Sequence, residues 1–234
     1  MDRLTSRFIT PEDPRCDEVV LPLHPAWWSR PYEYSWAGSF AEGGTVLDAA
    51  CGIEHPFKFF LVDRVGEVHA CDREEGILSR DAIRKGLRET YGEAAAAQLP
   101  ERYLDCIHFR RASITALPYG EGMFDRIFCI SVLEHLEDSF NRHPWIPRVD
   151  LLRSLLKRDI QLALGEFKRV LMDDGLIILT FDYPDINLDY LASVVRSLGL
   201  AFAGETNFTH PADALYAESL QLYCFRAVLK KNKD

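Results

Sequence analysis

The 234-residue chain lacks a surplus of positive charge: 27 Lys and Arg stand against 36 Asp and Glu, a formal net charge of −9. Phosphate-rich partners are bound by clustered Lys and Arg that displace counterions, so neither nucleic acid nor an anionic membrane is an expected partner. A neutral or cationic small molecule suits this balance better. Long apolar runs are also missing. The longest, Leu176 to Phe181, falls far short of the roughly 20 residues that a spanning helix needs, and no membrane segment is expected. Met1-Asp2-Arg3-Leu4-Thr5-Ser6-Arg7 leads into Pro11-Glu12-Asp13-Pro14 instead of an apolar signal core, so secretion is not expected either. The 6 cysteines, at positions 16, 51, 71, 106, 129 and 224, form no C-x-x-C pair. They read as reduced thiols of a cytoplasmic protein, mostly in its core. Glu54-His55 and the stretch Asp138 to His143 lack compact ligand spacing, so no metal is expected. There is no internal repeat, and low complexity is confined to Ala94–Ala97 and the tail Lys230-Lys231-Asn232-Lys233.

What is present is an ordinary globular balance, 47% hydrophobic with 27% charged residues, at a length that suits one large domain. From Gly43 onward, short β-branched or aromatic runs alternate with longer amphipathic stretches, the pattern of βα units on a parallel sheet. Seven strands are expected: Thr45–Ala49, Glu67–Asp72, Cys106–Arg110, Phe124–Ser131, Leu176–Phe181, Leu200–Gly204 and Tyr223–Leu229. The first helix is expected to open at His55-Pro56, since a first-turn N–H has no intrahelical partner to lose. Leu152, Leu156, Ile160, Leu164, Phe167 and Leu171 recur at steps of three and four, marking a long helix over Asp150 to Met172. Asp173-Asp174-Gly175 is expected to end it, with Gly175 left-handed.

Two segments break this rhythm. Residues 1–42 are rich in Pro and aromatics, notably Trp27, Trp28, Tyr32, Tyr34 and Trp36, and read as an N-terminal cap on a domain spanning 43–234. Asn141 to Arg148 carries two prolines and reads as an insertion after the fourth strand.

Chemistry concentrates where the first strand ends. Val46-Leu47-Asp48-Ala49-Ala50-Cys51-Gly52 places a small-residue turn between strand and helix, the place where a doubly wound sheet binds its nucleotide. The second strand ends in Asp72, twenty residues after Gly52, from which a carboxylate reaches the hydroxyls of an adenosine ribose. A dinucleotide would set its pyrophosphate over this turn, and Asp48 and Glu54 would repel it. The glycine spacing of the dinucleotide fingerprint is absent as well. S-adenosylmethionine has no phosphate and carries a sulfonium and an ammonium, which acids attract.

On these residues the sequence resembles the class I S-adenosylmethionine-dependent methyltransferases, of the small-molecule, type 11-like kind, over roughly residues 44–183. Val46 to Gly52 looks like the family's first motif, with Ala50 in place of one glycine and Glu54 in place of the last. Ala50 is small enough to be tolerated there but is expected to forgo a positive φ. Asp72 matches the ribose acid. Ser113-Ile114-Thr115-Ala116-Leu117-Pro118-Tyr119 is similar to the adenine-side segment, with Ser113 where an Asp is usual. Phe124 to Leu136 matches the fourth-strand motif, and Glu166 to Leu176 the passage into the fifth strand. The resemblance implies an α/β fold: a Rossmann-like, seven-stranded, mostly parallel sheet with an antiparallel last strand and helices on both faces. It implies S-adenosyl-L-methionine as cofactor, held by Asp48, Ala50, Cys51, Gly52, Asp72, Ser113, Ile114, Ser131 and Val132.

Methyl transfer is an in-line displacement in which alignment supplies much of the rate, leaving the protein to provide a base for the acceptor proton. His135, after the fourth strand, is one candidate, and Asp182 and Tyr183, after the fifth, are others; the plain alternative for His135 is backbone capping at a helix start. Trp28, Tyr32 and Trp36 are candidate acceptor contacts, or else the glue that holds the cap to the core. The expected activity is methylation of a small-molecule acceptor at oxygen or nitrogen, a sugar or secondary metabolite among the options. Two rivals stand beside it: a non-catalytic S-adenosylmethionine-binding module and an NAD-dependent oxidoreductase.

Overall fold

A computed structural model describes residues 3–137 and 150–232. The expected insertion at Asn141–Arg148 lies outside the described residues. In chain order the elements are β1 (Arg7–Phe8), β2 (Glu18–Val19), β3 (Leu21–Pro22), α1 (Arg30–Gly38), β4 (Thr45–Ala49), α2 (Phe57–Val62), β5 (Glu67–Asp72), α3 (Arg80–Tyr91), α4 (Glu93–Ala97), α5 (Glu101–Asp105) and β6 (Ile107–Arg111). There follow β7 (Phe124–Ile130), α6 (Asp150–Val170), β8 (Leu171–Tyr183), α7 (Leu188–Ser197), β9 (Leu200–Phe202), β10 (Tyr216–Ala217) and β11 (Leu222–Lys231).

The main sheet runs β1-β11-β8-β7-β4-β5-β6. From β6 to β8 every pairing is parallel, and β11 lies antiparallel to β8. The expected strands are therefore all present as β4 to β9 and β11, in the Rossmann-like arrangement. Successive residues point to opposite faces of a strand, and the two hydrophobic clusters follow that alternation. Leu47, Ile127, Cys129, Ile177 and Leu179 join α6 and α7 through Ile160, Leu164, Phe167, Leu191 and Val195. Val46, Phe128, Ile130 and Ile178 face the other way, onto Tyr34 and Phe40 of the N-terminal segment, Phe57 and Phe59 of α2, and Ile83 and Leu87 of α3. Each such buried side chain contributes about 1.5–3 kcal/mol. The sheet is therefore buried on both faces.

The passage into β8 differs from expectation. Helix α6 ends at Val170 and β8 begins at once, so Asp173-Asp174-Gly175 lies within the strand. Gly175 is not left-handed; positive φ falls elsewhere, as at Gly199. The ladder pairs Phe124 with Leu171 and then Arg126 with Leu176, so the residues between are looped out of it. A Cβ at Gly175 would come within 2.7 Å of the Leu171 side chain and 3.0 Å of the Asp125 carbonyl, and close packing at this irregularity is what requires glycine. The first helix also starts later than expected, with Pro56 as the residue preceding it.

The N-terminal segment is joined to the sheet. β1 pairs with β11 through Arg7–Arg226 and Phe8–Phe225. Asp13 binds Arg7 at 2.5 Å and Arg226 at 3.2 Å, with both Asp13 and Arg226 side chains only 3% exposed. Burial works against charge on Asp13, but the hydrogen bond from Arg7, the Thr10 amide and the charge of Arg226 together hold its carboxyl below the usual range.

Candidate active site

The site grows out of the turn after β4. Cys51 donates its amide to the Cys71 carbonyl at 3.0 Å, which lashes the turn to β5. Ala50 sits at φ 54° and Gly52 at φ 61°. Ala50 thus takes the left-handed conformation that it was expected to forgo, at about 1–2 kcal/mol of local strain. Ser131, where β7 ends, is likewise left-handed at φ 46°. Both strained residues face the same cleft, and such strain persists only where neighbours impose the conformation.

Lys58 is one of those neighbours, and nothing in its sequence setting marks it. It is fully buried in α2, between Phe57 and Phe59, and its ammonium donates to the carbonyls of His55 (2.5 Å), Gly52 (2.7 Å) and Cys51 (3.4 Å). A buried cation that collects three carbonyls of one turn fixes that turn from beneath. In the sequence, a lysine in an apolar run reads as one that extends its head group to solvent.

Asp72 ends β5 with both oxygens committed to backbone. Oδ2 accepts from Gly52 N–H and Oδ1 from Glu74 N–H, each at 2.9 Å. The carboxylate is oriented while keeping further lone pairs for a ligand. Asp48 lies deeper. Burial pushes its carboxyl up to about 7; the nearby Lys58 charge opposes the shift and Asp72 adds to it.

Asp48, Ala50, Cys51, Gly52, Asp72, Ser131, Val132 and His135 line one cavity of about 320 Å³. A neighbouring cavity of about 440 Å³ shares Ala50, Asp72, Val132 and His135 and adds Ile114. Nearly all the expected cofactor residues therefore meet. Ser113 lines a further cavity that shares Arg73, Arg111, Ala112 and Leu136 with the second; its hydroxyl is 2.8 Å from that of Thr115 and accepts from the Thr115 amide at 3.3 Å, closing a local turn.

The opposite wall comes from α1 and from the turn that leads into α2. Arg30, Tyr34 and His55 line the first cavity. Arg30 and Tyr34 are four residues apart and share one face of α1. Tyr32 and Trp36 share another face, which turns away. Tyr32 packs beside Ile9 and Cys224, with Trp28 against the same cluster. Trp36 donates its indole N–H to the Arg3 carbonyl at 3.0 Å and packs against Phe40. The three expected acceptor aromatics are thus absent from the cavity wall. The N-terminal segment reaches it instead through Tyr34, whose hydroxyl is 3.1 Å from His55 Nδ1, with Trp27 stacked on that imidazole at 4.5 Å. Burial, then the charges of Arg30 and Lys58, drive His55 well below its usual range, so its ring is neutral.

Behind this wall lies a buried polar seam. Glu33, fully buried, receives Arg30 at 2.5 Å, Ser131 Oγ at 2.6 Å and Ser29 Oγ at 3.0 Å. Burial opposes its charge, yet Arg30 and the Ser131 hydroxyl keep its carboxyl lowered. Glu134 is pushed well up by burial and then by Asp182, and Asp182 is raised to about 6 by burial and then by Glu33. Asp182 belongs to this seam and does not line the cavity, while Tyr183 packs edge-on against Phe8 at 5.2 Å. Of the three catalytic candidates, His135 alone lines the cleft, where it is exposed.

A family model described as a methyltransferase domain matches residues 47–179. The chain belongs to that family, and it is an S-adenosylmethionine-dependent methyltransferase with S-adenosylmethionine as its cofactor. No curated protein matches the sequence significantly. Among solved structures, a 1,6-didemethyltoxoflavin-N1-methyltransferase of Burkholderia thailandensis, bound to 1,6-didemethyltoxoflavin and S-adenosylhomocysteine, is similar at 16% identity and TM-score 0.55, with 89% of this chain and 80% of that one covered. A TehB-like SAM-dependent methyltransferase of Corynebacterium glutamicum is similar at 14% identity and TM-score 0.50, over 86% of this chain and 87% of that one. The [4+2]-cyclase SpnF is similar at 12% identity and TM-score 0.54, over 96% of this chain and 89% of that one. At these identities the likeness is one of fold. The family membership sets aside the oxidoreductase and the non-catalytic rivals. The residues also fit the cofactor: an anchored Asp72 faces the cleft, acidic Asp48 lies at its floor, and the turn leaves no room for a Cβ at Gly52, which would meet His55 at 2.4 Å.

Proposed function

We propose that this methyltransferase acts on a small-molecule acceptor, at oxygen or nitrogen, with Asp72 holding the ribose and Asp48 the ammonium of the cofactor. S-adenosylmethionine supplies the transferable methyl group when bound. The observation that carries the reading is the shape and lining of the cleft: about 320 Å³, walled by Arg30, Tyr34, His55 and His135. A nucleic-acid substrate calls for an open basic groove, whereas this chain carries a net −9. His135 opens onto the cavity and is the residue we assign to the acceptor proton. Asp182 takes no part at the acceptor, as a carboxyl of the buried seam behind the wall. Ile114 and Val132 give the cofactor's adenine an apolar bed.

The same reading treats residues 1–42 as a cap whose Tyr34 and Trp27 border the acceptor end. It places the enzyme in the cytoplasm, supported by six cysteines that are all unpaired; among the described residues no helix is long and apolar enough to cross a membrane. Fold does not choose the acceptor. A panel of hydroxyl- and amine-bearing small molecules, scored by release of S-adenosylhomocysteine, tests the proposal. Turnover with at least one member, lost in His135→Ala, is expected. Transfer to RNA or protein with none to small molecules would overturn it.

A further inference from the structure

At the other end of the parallel strands from the cleft, three side chains converge without any part in the site described. Glu67 opens β5, His69 follows on the same face, and His108 stands directly across from His69 on β6 in the parallel register. Glu67 Oε1 lies 3.2 Å from His69 Nε2 and 3.1 Å from His108 Nε2. The two imidazoles stack with centroids 4.7 Å apart, which turns both Nε2 atoms toward the same carboxylate. One candidate ligand atom from each of the three residues lies within 4.8 Å of the others.

We propose that Glu67, His69 and His108 form a binding site for a divalent transition metal ion of the zinc class. Zinc lies about 2.0–2.2 Å from imidazole nitrogen and carboxylate oxygen, so tetrahedral ligand atoms sit about 3.3 Å apart; the two measured separations match that span. Two imidazoles and a carboxylate favour Zn²⁺ and its neighbours over Ca²⁺ or Mg²⁺, which prefer all-oxygen shells. The His69 ring is held in place by Tyr119 and Phe124, both edge-on at 5.5 and 5.3 Å. His108 and Glu67 are exposed, so the site is open to an ion from solvent and leaves a coordination position for water. The sequence hid the site because its ligands come together only when β5 and β6 pair.

A bound ion would pin β6, the edge strand, to β5. The far end of β6 supplies Arg111 to the adenosine side of the cleft, so the site's effect is on the stability of that edge. The test is calorimetric titration of the tag-free, chelator-treated full chain with Zn²⁺, repeated with Co²⁺ and followed by visible absorption. The expected result is one equivalent at micromolar or tighter affinity, a cobalt spectrum of four- or five-coordinate type, and a rise in Tm with Zn²⁺. His108→Ala, at an exposed position, should keep the metal-free Tm and lose at least tenfold in affinity, and Glu67→Gln should do the same. The absence of saturable binding, or affinity unchanged in both variants, would overturn the proposal.

Discussion

The backbone N–H of Gly52 donates to Oδ2 of Asp72 at 2.9 Å, tying the turn after β4 to the acid that ends β5. The partner oxygen takes the Glu74 amide, so the carboxylate can neither rotate nor withdraw from the cleft. Two sequence features that read as separate contributions to one nucleoside site are a single hydrogen-bonded unit.

Asp72→Ala should therefore weaken cofactor binding twice over, by removing the ribose acceptor and by releasing the turn. Hydrogen bonds to a charged group contribute about 1.5–3 kcal/mol each, which puts the expected loss at about 10- to 100-fold in affinity for S-adenosylhomocysteine by calorimetry. Asp72→Asn, which keeps an acceptor oxygen, should lose less.

Asp48 couples function to pH. Its folded carboxyl sits at about 7, raised above the usual value of 3.8 by burial. The folded chain thus holds this proton more tightly than the unfolded one, and the stability it contributes at low pH is lost as pH climbs from about 4 through 7. The cofactor's ammonium needs the ionised form. Affinity should fall as pH drops below about 7, with protons released on binding near neutrality, measurable as a dependence of binding heat on buffer ionisation. Asp48→Asn should melt higher than the wild type at pH 8 while binding the cofactor more weakly and without that pH dependence.

Lys58→Met keeps the bulk of the buried stem but leaves the carbonyls of Gly52 and His55 without their donor. A loss of about 2–4 kcal/mol in stability is expected from urea unfolding, together with weaker cofactor binding, since the turn is no longer fixed. A variant that binds as the wild type does would show that the turn is held by its other contacts.

Asp13→Ala should cost about 3–5 kcal/mol, the usual penalty for breaking a buried ion pair by removing one partner, here the pair with Arg226. Asp13 carries a lowered carboxyl, so the pair's contribution is present at neutral pH and fades as pH falls through the Asp13 titration. Unfolding measured at pH 7 and again at acidic pH should show the difference between variant and wild type shrink.

The strands were legible because short apolar runs such as Ile127–Ile130 and Ile177–Phe181, separated by longer amphipathic stretches, are what strands buried on both faces require. The cofactor turn was legible because small residues and acids recur there at short range. Other features depended on contacts between distant parts of the chain. Gly175 reads as a helix stop until the ladder shows the crowding by Leu171 and Asp125. Trp28, Tyr32 and Trp36 are conspicuous by type, yet the rotation of α1 presents Arg30 and Tyr34 to the cleft. Lys58 and Glu33 carry charges whose burial only tertiary packing reveals, and the left-handed Ala50 is imposed by a turn fixed on both sides.

The most direct test of the account is calorimetric titration of the full chain with S-adenosylhomocysteine and, separately, with NAD. One equivalent of S-adenosylhomocysteine should bind at micromolar affinity, with no heat from NAD at millimolar concentration. No binding of the sulfur ligand at millimolar concentration, or a preference for the dinucleotide, would contradict it.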